Sequence, residues 1–124
     1  MPPEHPDAEA VAEAVFTALA DPTRRSVLAE LAARGPATAT DLAGRLPISR
    51  QAIAKHLRLL AEAGLVRAEA GERRRVRYRL QTGPVTVAQG FLAALARDWD
   101  GRLERLRDHL DRTQDSIGHR RSDP

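Results

Sequence analysis

With 124 residues, 42% of them hydrophobic and only 3% aromatic, the chain has room for one small domain whose modest core must be built from Leu, Ala and Val. It contains no cysteine, which excludes disulfides and thiolate metal sites, and no apolar run approaches the ~20 residues of a membrane span. The formal net charge of +3 is uneven: residues 1–33 hold two Arg against six acids, residues 34–79 hold eleven cations against four acids, and residues 80–124 hold seven of each. Cations gathered in the middle third are what a polyanion-binding surface requires.

The acidic, Pro-rich start is not a secretory signal; it predicts a disordered tail over residues 1–7, and the chain a cytoplasmic protein. Residues 8–20 are Ala-rich and helical by propensity, with Val11, Val15, Phe16 and Leu19 in one apolar stripe. Asp21-Pro22 restarts the chain, since Asp21 suits an N-cap and Pro22 the first helical position. This second helix is expected to reach about Ala33, with Val27, Leu28 and Leu31 inward, before Gly35-Pro36 stops it. Thr40 is the expected cap of a short helix from Asp41 to Leu46. Ser49 caps the next helix, whose apolar positions are Ile53, Leu57, Leu60 and Ala61 and whose stop is Gly64. Two helices joined through the few residues around Pro47 have the spacing of a helix-turn-helix.

Residues 65–69 and 76–80 alternate apolar and polar, as half-buried strands do, around the turn A-G-E-R-R-R. This predicts a hairpin with a basic tip. A long helical pattern follows, with Phe91, Leu92, Leu95, Trp99, Leu103, Leu106 and Leu110 recurring every three or four residues. The order predicts a mainly α fold with a small β-hairpin: a winged helix-turn-helix over residues 8–113, dimerising through its N- and C-terminal helices, with a C-terminal tail at 114–124.

The polar face of the 49–58 helix holds cations and an amide with no acid until Glu62, as though an anion lies against it. In a helix-turn-helix the second helix enters the major groove and its N-terminal residues meet base edges. The candidates are Ser49, Arg50, Gln51, Ala54, Lys55, His56 and Arg58. Gln can pair with adenine and Arg with guanine, each pair worth ~1–3 kcal/mol of discrimination. Arg73, Arg74 and Arg75 at the wing tip are placed to meet the backbone or the minor groove. Arg24 and Arg25 sit in a first helical turn, where the dipole disfavours cations, and are expected to find an anionic partner: an acid of the chain such as Asp21 or Glu30, with a phosphate as the alternative. The dimer-interface candidates are Val15, Phe16, Leu92, Leu95, Trp99, Leu103 and Leu106, and a two-fold dimer demands a near-palindromic duplex.

No Gly-rich phosphate loop, nucleophile elbow or apolar-flanked carboxylate pair is present, so neither catalysis nor a cofactor is expected. Metal is an alternative role, with His109 and His119 meeting only across a dimer. Further alternatives are a winged helix used for protein contacts and a sequence-neutral architectural DNA binder.

F-T-A-L-A-D-P-T-R-R-S-V-L-A-E-L-A at 16–32 resembles the second-helix signature of ArsR/SmtB-type repressors. A-T-D-L-A-G-R-L-P-I-S-R-Q-A-I-A-K-H-L-R-L-L-A-E-A-G-L-V at 39–66 resembles their helix-turn-helix, and G-E-R-R-R-V-R-Y-R-L at 71–80 their wing. The run W-x-x-x-L-x-x-L-x-x-x-L at 99–110 is similar, more loosely, to their dimerising last helix. The resemblance implies a homodimeric repressor that occludes an operator and releases it on a signal, with autoregulation as one mode. It places residues 49–51 and 54–56 on the recognition face. Metal-sensing members carry Cys in the helix before the turn, or an Asp-x-His pair in the last helix; here the first region has no Cys, and Asp108 and His109 are adjacent. The chain thus looks like the members without metal ligands, its effector unknown.

Overall fold

A computed structural model describes residues 7–121, with side chains through Gln114. The elements are α1 (Ala8–Leu19), α2 (Pro22–Arg34), β1 (Ala37–Thr38), α3 (Ala39–Arg45), α4 (Arg50–Glu62), β2 (Val66–Ala70), β3 (Val76–Leu80) and α5 (Gly83–Arg121). Packing divides the chain into two compact units, between Phe91 and Leu92 inside α5. The tail expected over 1–7 lies outside the described residues except for Asp7, which caps α1 by accepting from the Glu9 amide at 3.3 Å. Residues 114–121 of the expected C-terminal tail are helical.

The first unit is organised around Val27, Leu31, Leu42, Ile53, Leu57, Leu60 and Leu65. From α1 the buried residues are Ala12, Val15 and Ala18, which share one face at helical spacing. Val15, expected in a subunit interface, is therefore a core residue, only 1% exposed. The reason is geometric: successive helical residues point about 100° apart, so burying Val15 turns Phe16 outward. Phe16 stays 37% exposed and tilts against Phe91 with ring centroids 6.3 Å apart.

Capping chemistry fixes the helix ends. Asp21 accepts from the amides of Thr23 at 2.7 Å and Arg24 at 3.2 Å, as expected of an N-cap. The Arg24 amide holds the Asp21 carboxyl below the ordinary carboxylate range. Among the described residues neither Arg24 nor Arg25 forms a salt bridge with an acid. Arg24 Nε donates to the Ala18 carbonyl at 2.8 Å and Nη2 to Thr17 at 3.2 Å, while Arg25 Nη1 donates to Leu19 at 2.6 Å. Two cations at the start of α2 thus satisfy the orphan carbonyls and the negative dipole end of α1.

The cap of α3 is Thr38, not Thr40. Thr38 Oγ1 accepts from the Asp41 amide at 3.0 Å, and Asp41 Oδ2 accepts from the Thr38 amide at 3.1 Å. This reciprocal box needs an acid three residues beyond the cap, which Thr38 has and Thr40 lacks. Gly64 closes α4 at φ +75°, with its amide on Ala61 and the Leu65 amide on Leu60, and Leu60 packs beside Leu65 in the core.

The sheet is antiparallel in the order β1-β3-β2. The hairpin pairs Val66 with Leu80, Ala68 with Tyr78 and Ala70 with Val76, and on the opposite face Arg67 with Arg79 and Glu69 with Arg77. Tyr78 and Leu80 lean on the core, while Arg79 pairs with Glu69. The two-residue strand β1 was not expected; it pairs Ala37 with Tyr78 and buries Ala37 completely.

In the second unit the apolar stripe of α5 is open to solvent. Leu92, Leu95, Trp99, Leu103, Leu106 and Leu110 are each between 43% and 56% exposed.

Candidate nucleic-acid interface

Helix α4 has two faces with different work. Ile53, Leu57 and Leu60 floor the core, while Ala61, expected inward, is exposed. Ser49 Oγ accepts from the Ala52 amide at 3.1 Å, which fixes how the first turn starts. On the outer face Ser49, Gln51, Ala52, Ala54, Lys55 and Arg58 line one shallow groove. The small Ala52 and Ala54 leave its floor open to a flat or convex partner. Their cations are available: among the described residues the ion pairs are Arg34–Glu30 and Arg79–Glu69.

Arg50 belongs elsewhere. It lines a second concavity with Thr38, Ala39 and Thr40 from the start of α3, and Arg74, Arg75, Val76 and Tyr78 from the wing. The start of α4 and the wing therefore lie side by side. His56 leaves the basic face: it is half-buried, and its Nδ1 has no hydrogen-bond partner among the described residues. Sequence spacing alone did not single out Thr38, Thr40 or Tyr78 as wall residues.

The wing tip is a tight turn in which the Arg75 amide donates to the Glu72 carbonyl at 3.2 Å and the Gly71 amide to Arg75 at 2.7 Å. Both central residues are left-handed, Arg73 at φ 56° and Arg74 at φ 65°. That is the pattern of a type I′ turn, whose preferred residues are Asn-Gly. A left-handed residue with a Cβ costs ~1–2 kcal/mol. Replacing Arg73-Arg74 by Asn-Gly is expected to raise unfolding stability by ~1–2 kcal/mol, read as a higher urea midpoint, while weakening duplex binding. An unchanged midpoint would show that the turn relaxes at no cost.

The described residues contain no group of three or more His, Cys, Asp or Glu able to hold a metal, and the side chain of His119 lies outside them. No described helix is long and apolar enough to cross a membrane.

A helix-turn-helix domain family, HTH_20, matches residues 19–69. The chain is 45% identical over 74 residues to the uncharacterized HTH-type transcriptional regulator YuzN of Bacillus subtilis, covering 55% of this chain and 76% of that one. It is 42% identical over 52 residues to the transcriptional repressor SdpR of the same organism, covering 42% of this chain and 57% of SdpR. Among solved structures, an ArsR-like transcriptional regulator from Rhodococcus sp. RHA1 superposes with a TM-score of 0.73 at 40% identity, covering 81% of this chain and 92% of that one.

Proposed function

The chain belongs to the ArsR family of helix-turn-helix transcriptional regulators, DNA-binding proteins rather than enzymes, and we propose that within that family it acts as a cytoplasmic homodimeric repressor that occludes a near-palindromic operator. One observation carries this reading: the exposed cations of α4 and the wing line adjoining concavities with no acid paired to them among the described residues. A duplex laid there meets both. Gln51, Ala54 and Lys55 enter the major groove, and the wing follows the backbone.

Repression needs no further chemistry. A dimer astride a promoter excludes polymerase, and the name of SdpR supports that sense of regulation. The unit through Phe91 binds DNA, and the stripe of α5 joins two copies. Their recognition helices then reach half-sites about 34 Å apart.

Binding is expected to weaken steeply with salt. A protein making about 6–10 phosphate contacts loses roughly 10³–10⁵ in affinity between 50 and 200 mM salt. Lys55→Ala is expected to reduce operator affinity about ten-fold or more, with far-UV circular dichroism unchanged, because Lys55 is exposed and caps nothing. Footprinting and anisotropy on the region upstream of the chain's own gene test this, and also test autoregulation. Retention of full affinity by Lys55→Ala would remove α4 as the recognition helix.

A further inference from the structure

Arg50 and Gln51 are neighbours in sequence but line different concavities, Gln51 in the groove of α4 and Arg50 in the pocket shared with the wing. The wing-side pocket is lined by three arginines, Arg50, Arg74 and Arg75, together with Thr38, Thr40 and Tyr78. Among the described residues no salt bridge engages any of the three. The acid whose charge reaches Arg75 is Asp41, and its Oδ2 is already bound to the Thr38 amide at 3.1 Å. Three cations lining one pocket repel one another, and the single acid Asp41 offsets them only in part, which favours an anion there.

The chemistry of that anion follows from the donors. Guanidinium forks match the paired oxygens of a phosphate, and threonine and tyrosine hydroxyls are ordinary phosphate partners. A base edge instead offers a planar mixture of donors and acceptors, and these cations present donors alone. The backbone adds an independent observation. Arg73 and Arg74 hold left-handed φ angles that favour glycine or asparagine, yet both are arginine, and Arg74 lines the pocket.

Resting on the DNA-binding reading above, we propose that the pocket between α3, the first turn of α4 and the wing seats one backbone phosphate of the duplex. Arg50, Arg74 and Arg75 grip it. Arg50 is therefore a positioning residue that sets the depth and register of α4, and base discrimination falls to the Gln51–Lys55 groove.

The test uses a duplex selected by the full-length protein from a random pool and a scrambled duplex of the same length. Both are titrated by fluorescence anisotropy across a NaCl series. Arg50→Gln and Arg75→Gln are expected to lower affinity for both duplexes by the same factor. The double variant is expected to lose about 0.9 from the log–log salt slope per bound subunit, one phosphate's worth. Gln51→Ala, by contrast, should weaken the selected duplex alone. If Arg50→Gln weakens only the selected duplex and keeps the salt slope, Arg50 reads a base and the proposal fails. Parental affinity for both duplexes in the double variant would equally overturn it. Absence of salt-dependent binding by the parent protein would instead defeat the DNA-binding reading on which it rests.

Discussion

Leu103→Asp combined with Leu106→Asp is expected to yield a folded monomer whose operator affinity is about 10²–10⁴ lower than the parent's. The stripe of α5 places six large apolar side chains at intervals of three and four residues, all of them about half exposed. Burying a leucine is worth about 1.5–3 kcal/mol, so a stripe of this size is a strong drive for association. Trp99, at 56% exposure, is the largest apolar surface in it. In the proposed dimer two carboxylates on that stripe would be desolvated without partners, which reverses the drive. The buried residues of the first unit all lie between Ala12 and Ala88, so the substitutions leave its core intact. DNA affinity falls because a dimer binds its second half-site intramolecularly and a monomer does not. Light scattering reads the mass, circular dichroism the fold and anisotropy the affinity. A variant that stays dimeric would place the interface elsewhere.

Leu57→Ala is expected to cost about 2–5 kcal/mol of stability. Leu57 is fully buried in the core that also holds Leu42, Ile53, Leu60 and Leu65, and a close-packed interior relaxes only in part around a vacated volume. Small domains have about 5–15 kcal/mol in total, so the loss is a large share of the whole. The same residue floors the helix whose opposite face carries Gln51 and Lys55. Duplex binding should therefore fall at temperatures where the variant is still mostly folded, as α4 loosens on its base. Urea unfolding measures the stability; a change below about 1 kcal/mol would mean that the site collapses around the missing atoms.

Much of the chain follows from local chemistry. Asp21-Pro22 can hardly do anything but start a helix, and Ser49 and Gly64 bracket α4 because each satisfies backbone groups within four residues of itself. The alternation at 76–80 makes a strand wherever one side meets a core. The departures have no single cause. Strand β1 is two residues long and carries no period; it exists because Tyr78 lies opposite Ala37. Thr38 took the cap from Thr40 because Asp41, three residues on, closes the reciprocal box, a local signal already present in the sequence. Arg24 and Arg25 reached back to α1 carbonyls that no pattern of charges marks.

Every element except β1, and the basic middle third, were legible in the sequence, because capping, periodicity and charge act over a few residues; the family was legible as a resemblance of whole motifs. Folding in three dimensions decided which of two neighbours faces which way. Val15 went to the core and Phe16 to the surface, Arg50 to the wing pocket and Gln51 to the open groove. A helix turns about 100° per residue, so only the position of the packed face, set by distant side chains, separates one role from the next.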